Sequence, residues 1–156
     1  MSPNFTTHIN ERHMPDPLRH VPRQSEADEG WVLLVDDQPM MQEFKSAILA
    51  AMGFKVIRAK DGADALKKYQ VYRRVISLVI VDMTESELEG FEVIEIIREI
   101  DPSAKIILSN GSPERVPLEV MPDAFLPKPY KGNALWEVVR RVIQRDLPPV
   151  PWATAN

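Results

Sequence analysis

The chain has no cysteine and only three histidines in 156 residues. Without cysteine there is no disulfide framework, no thiolate chemistry and no Cys-ligated metal. The histidines, His8, His13 and His20, all lie near the N-terminus. A site in the remaining chain must therefore work with carboxylates, hydroxyls and lysine. That excludes a Ser-His-Asp engine and a His-ligated zinc there. Positive charge is also short: 19 Lys and Arg stand against 23 Asp and Glu, for a net charge of -4. This is no footprint for nucleic acid. No apolar run approaches the length of a membrane span. The opening Met1-Ser2-Pro3-Asn4 lacks the charged-then-apolar pattern of a secretory signal, so the expected location is the cytoplasm.

What is present is a regular alternation of apolar runs. Residues 1–29 carry Pro3, Pro15, Pro17 and Pro22, hold no persistent period, and read as a disordered tail. Trp31–Val35 is an apolar strand ending in Asp36 and Asp37. Pro39 marks a helix start, and Met40, Met41, Phe44, Ala47, Ile48, Ala51 and Met52 recur at helical spacing before Gly53. Lys55–Arg58 is a second strand. Ala63–Tyr72 is a helix with Ala65, Leu66 and Tyr69 inward. Leu78–Asp82 is a strand buried on both faces, because four apolar residues run without a polar break.

An acidic loop is expected over Thr84–Glu89, then a helix over Phe91–Ile100 with Phe91, Val93, Ile94, Ile96, Ile97 and Ile100 in one stripe. Lys105–Ser109 is the fourth strand. Pro113, Pro117 and Pro122 leave room only for a short or distorted helix near Glu114–Met121. Ala124–Leu126 is the fifth strand. Asn133–Asp146 is the last helix, with Leu135, Val138, Val139, Val142 and Ile143 inward and Arg140, Arg141 and Arg145 outward. One folded domain over 30–147 and a Pro-rich tail over 148–156 follow from this pattern. The alternation of strand and helix predicts a flavodoxin-like, doubly wound α/β fold: five parallel strands in the order 2-1-3-4-5, with five helices.

Such sheets place their site at the carboxyl ends of the strands. Asp36 and Asp37 end the first strand, Asp82 the third and Ser109 the fourth, while Lys128 follows the fifth. Each has an ordinary explanation alone: a helix cap, a hydroxyl on backbone, a solvated lysine. Together they converge. Three carboxylates in one pocket repel and are relieved by protonation or by a divalent cation. An oxygen-only donor set suits Mg²⁺. An Asp carboxylate is a competent nucleophile on phosphorus, and Lys128 and Ser109 are suited to phosphoryl oxygens.

This set resembles the receiver domain of two-component response regulators: Asp36-Asp37, then Asp82, Gly90 eight residues later, Ser109, and Lys128-Pro129. The resemblance spans about Trp31 to Leu147. It implies that Asp82 is the phosphoacceptor and that Asp36, Asp37, Asp82 and the Thr84 carbonyl hold Mg²⁺. It further implies that Ser109 and Lys128 contact the phosphoryl group and that Phe125 is an aromatic switch. The implied partners are a sensor histidine kinase or a histidine phosphotransfer protein, and a downstream protein. The implied role is that of a signalling domain, with self-catalysed phosphorylation and dephosphorylation, rather than an enzyme.

The sequence departs from the family pattern at Glu85 and Ser86, where Met-Pro is frequent, and at Asn110, where a small residue is usual. Asn110 is thus expected either to narrow access to the phosphoryl group or to change its hydrolysis rate. The broken helix around Pro117 resembles receivers attached to hybrid kinases. Two other readings compete. One is a pseudo-receiver, an interaction module that is not phosphorylated. The other is a phosphohydrolase, which needs an acid two residues after the nucleophile, where this chain has Thr84.

Overall fold

The computed structural model describes residues 30–144, so the expectations for 1–29 and for 145–156 lie outside the described residues. Strands β1 (Gly30–Asp36), β2 (Phe54–Ala59), β3 (Ile76–Asp82), β4 (Ile106–Asn110) and β5 (Ala124–Pro127) form one parallel sheet in the order β2-β1-β3-β4-β5. Helices α1 (Pro39–Ala51), α2 (Gly62–Tyr72), α3 (Glu87–Ile100) and α4 (Gly132–Ile143) cover its two faces. This is the flavodoxin-like fold that the alternation predicts.

Period-two alternation in buried strands sorts the side chains into two cores. Val32, Leu34, Leu78, Ile80, Ile107 and Leu126 face one side, with Leu49 of α1 and Leu135, Val138 and Val139 of α4. Leu33, Val35, Val79, Val81, Ile106 and Leu108 face the other, with Tyr69 of α2 and Ile94 and Ile97 of α3. Burying each such aliphatic side chain contributes roughly 1.5–3 kcal/mol. The central strands β1, β3 and β4 are thus apolar through their middle, and their buried polar side chains stand at the carboxyl ends.

The helix starts follow local chemistry. Pro39 opens α1, and Gly53, at φ +99°, turns the chain after it. Asp61 caps α2 by accepting from the Asp64 N–H at 2.8 Å. Helix α3 begins at Glu87, not after Gly90. Part of the expected acidic loop is helical because Glu87 and Glu89 in a first turn favour the helix dipole. Gly90 lets α3 approach β3 closely: a Cβ there would stand 3.1 Å from Val81 Cγ1 and 3.3 Å from Met83 Cγ, so those side chains would have to give way.

Two further expectations are corrected. Of the apolar residues that announce α1, Met40 and Phe44 are exposed and Ile48 packs half-buried against the core, while Lys45, Ser46 and Leu49 are the buried ones. Ile96 is an exposed member of the α3 stripe. The fourth helix, expected to be short or distorted, is one 3₁₀ turn, Pro113–Arg115, followed by an irregular segment. Arg98 holds that segment from α3, donating to the Met121 carbonyl at 2.9 Å and to Asp123 Oδ2 at 2.9 Å. Asp123 in turn accepts from the Ile106 N–H at 2.7 Å.

Candidate functional site

Asp36 and Asp82 are register partners at the ends of β1 and β3. Counting by twos from Leu34 and Ile80 puts both side chains on the face covered by α1 and α4. The same count from Ile107 places Ser109 there, and from Leu126 it places Lys128. Four of the residues expected from the sequence therefore share one side of the sheet end.

The contacts among them involve a residue that the sequence reasoning missed. Lys45 of α1 is only 1% exposed, and its Nζ donates to Asp36 Oδ2 at 2.6 Å and to Asp82 Oδ2. Lys128 Nζ stands 2.5 Å from Asp82 Oδ1 and donates to Thr84 Oγ1 at 2.9 Å. The Tyr130 hydroxyl donates to Asp82 Oδ2 at 3.1 Å, and Lys45 Nζ lies 5.7 Å from the centroid of that ring. Two carboxylates thus meet two ammonium groups and one phenol.

Buried ions of one sign cost several kcal/mol each unless matched. Here they are matched. Burial works against the Lys45 ammonium, but the Asp82 charge, Tyr130 and hydrogen bonds to Asp36 and Asp82 outweigh it and hold its pKa above the ordinary lysine range. Burial pushes the Asp36 carboxyl up, against Lys45 and the Gln38 N–H, which donates to its Oδ1 at 2.9 Å. We read the Lys45–Asp36 pair as ionic, since each gains a partner of opposite sign at hydrogen-bond distance. Burial and the adjacent Asp82 charge push the Tyr130 phenol up to about 12, so it is a donor at neutral pH.

The other expected residues are placed differently. Asp37 turns its carboxylate to the backbone, accepting from the Thr84 N–H at 3.2 Å and the Glu85 N–H at 2.8 Å. It anchors the loop after β3. Ser109 is 2% exposed, and its Oγ has no hydrogen-bond partner. Phe125 pairs in register with Leu108 and packs half-buried against the core on the α2–α3 side. Asn110 is buried, and its Oδ1 accepts from the Ser112 N–H at 2.6 Å within its own loop. Glu89 Oε2 accepts from the Gly62 N–H at 2.5 Å, which ties α3 to the start of α2.

An oxygen-only donor set has the right chemistry for Mg²⁺. As arranged, these residues do not fit it. The Lys45 ammonium spans Asp36 and Asp82, and Asp37 is spent on the backbone. Among the described residues no group of three or more His, Cys, Asp or Glu is placed to hold a metal ion.

The profile of the response regulator receiver domain matches residues 32–140. The chain belongs to the receiver domain family. It is 30% identical over 117 residues to the chemotaxis protein CheY of Bacillus subtilis, covering 72% of this chain and 96% of that one. Response regulator TrrA of Thermotoga maritima, solved in complex with Mg²⁺-BeF, superposes with a TM-score of 0.64 at 30% identity, over 72% of this chain and 98% of that one. CheY in the CheX-CheY-BeF3-Mg complex of Borrelia burgdorferi superposes with a TM-score of 0.65 at 26% identity, over 76% and 90%. Receiver domains act in phosphorelay signalling by phosphorylation of an aspartate. Among the described residues no helix is long and apolar enough to cross a membrane.

Sequence reasoning passed over Lys45 because a lysine in a helix is usually solvated. The signal was its phase: Lys45 stands four residues before Leu49, on the stripe that faces the sheet. Tyr130 follows Lys128-Pro129 directly and was legible only as a neighbour of that motif.

Proposed function

We propose that Asp82 accepts a phosphoryl group from a phosphohistidine of a sensor histidine kinase or histidine phosphotransfer protein, and that the modified domain changes its binding partner. An Asp82 carboxylate oxygen attacks phosphorus, the P–N bond to the donor imidazole breaks, and the imidazole keeps the electron pair and takes up a proton. Lys128 neutralises phosphoryl charge, and Ser109 donates a hydrogen bond to a phosphoryl oxygen. The single observation that carries this reading is the buried, unpartnered Ser109 hydroxyl one strand away from Asp82. A buried hydroxyl without a partner costs about 1–3 kcal/mol, which a phosphoryl oxygen would recover.

The Mg²⁺ that the family resemblance implies, with Asp36, Asp37, Asp82 and the Thr84 carbonyl as its ligands, does not enter this reading. Lys45 lies between two of those carboxylates. Output is assigned to the face formed by β5, the irregular segment before it and α4, with Phe125 as the residue that turns when Ser109 and Lys128 move. Its support is the register contact of Phe125 with Leu108, one position from Ser109. A downstream protein is assigned to that face; that such domains take protein partners is supported by the CheX-CheY complex of Borrelia burgdorferi. The location is assigned to the cytoplasm.

The test uses a histidine phosphotransfer protein carrying a labelled phosphoryl group. Transfer to the full chain, absent with Asp82→Asn, supports the proposal. No transfer from any histidine-phosphorylated donor, together with no labelling by acetyl phosphate, returns the chain to the pseudo-receiver reading.

A further inference from the structure

We propose that Lys45 is a resident counter-ion whose ammonium holds the cation position between Asp36 and Asp82, so that the pocket excludes Mg²⁺ for as long as this lysine is present. The proposal concerns metal binding by the acidic pocket and does not depend on phosphoryl transfer at Asp82.

Three observations converge on it. The first is position. Lys45 Nζ donates to one oxygen of each carboxylate, Asp36 Oδ2 and Asp82 Oδ2, and these strand-end residues are direct register partners. A cation bridging the two carboxylates through these oxygens would take the place that the ammonium holds. The second is charge. Asp36 and Asp82 supply two negative charges, and Lys45 and Lys128 return two positive ones. Asp37, the remaining acid at the β1 end, already accepts from two backbone N–H groups. With Asp37 counted, the three carboxylates exceed the two ammonium groups by one charge, so a dication would meet a pocket already largely neutralised and would face two ammonium groups a few ångströms away.

The third is confinement. Lys45 sits in the middle of α1 with 1% exposure, and the Tyr130 ring stands beside its ammonium. Helix α1 is held from behind by α4: a Cβ on Gly132 would stand 3.0 Å from Ile48 Cδ1 and 3.7 Å from Phe44 Cζ. The lysine side chain is buried with its ammonium, so its withdrawal would break both ion pairs. Any bound metal must therefore displace a buried, doubly hydrogen-bonded ammonium rather than surface water. Such a device gives an acidic pocket a cation that is independent of the metal concentration around it.

The experiment is a titration of the full chain with MgCl₂, with no phosphodonor present, followed by the backbone amide NMR signals of Asp36, Asp37, Asp82 and Thr84. The wild-type signals are expected not to saturate through the millimolar range. Lys45→Met keeps the unbranched apolar stem and removes the charge. It is expected to give saturable shifts at those amides with affinity raised by about tenfold or more. Saturation of the wild type in the low millimolar range at those amides overturns the proposal. So does a folded Lys45→Met that binds no better than the wild type. If Lys45→Met does not fold, Lys45→Gln takes its place on the same criterion, and the wild-type titration still decides against the proposal if it saturates. Failure of the phosphoacceptor reading would leave these outcomes unchanged.

Discussion

The ammonium of Lys45 stands 2.6 Å from Asp36 Oδ2, and neither side chain is more than 2% exposed. Each ion is tolerable at this depth only because the other is there. Removing one partner of a buried pair costs about 3–5 kcal/mol, because the survivor is left charged and desolvated. Lys45→Met is therefore expected to destabilise the domain strongly in chemical denaturation without metal. Adding Asp36→Asn to it should recover a large part of that loss, so the double variant is less destabilised than the sum of the singles. Additive losses would show that the two charges are not coupled.

Ser109 sets function against stability. Its Oγ is buried without a hydrogen-bond partner, so Ser109→Ala removes a group that the resting fold does not use. The variant is expected to match or exceed wild-type stability, by up to about 1 kcal/mol. Its phosphorylation rate, followed by labelling with a small phosphodonor, should fall. A variant as fast as the wild type would remove Ser109 from the site.

Tyr69 gives the fold a sensitivity to alkali far from the pocket. Burial, then the negative charge of Asp101 and the hydrogen bond to it, push its phenol up to about 12, from an ordinary 10.0. The hydroxyl lies 3.4 Å from Asp101 Oδ2. A raised acid pKa in the folded state contributes stability that is fully present below the unfolded value. It is lost as pH rises from about 10 to about 12. Over that window the wild type is expected to lose on the order of 1 kcal/mol more than Tyr69→Phe. Parallel stability curves for the two would contradict the assignment.

The architecture was legible because the central strands β1, β3 and β4 are apolar enough to be buried on both faces, and the first three crossovers and the C-terminal segment carry helical patterns. The site was legible for a related reason: in a sheet with apolar strands, the polar residues at the strand ends stand out, as Asp36, Asp82 and Ser109 do. What escaped has physical causes. Helix α1 is apolar around much of its circumference, so its inward phase was ambiguous, and Lys45 was hidden among exposed methionines. The start of α3 was masked by glutamates that read as a loop but suit a first turn. Asp37 looked like a member of the pocket because it adjoins Asp36, yet successive side chains diverge and its oxygens serve the Thr84–Glu85 backbone.

The most direct measurement of the central claim is the intact mass of the full chain after incubation with acetyl phosphate, alongside Asp82→Asn. The account predicts gain of a single phosphoryl group by the wild type and none by Asp82→Asn. Equal gain by the two proteins would contradict Asp82 as the phosphoacceptor.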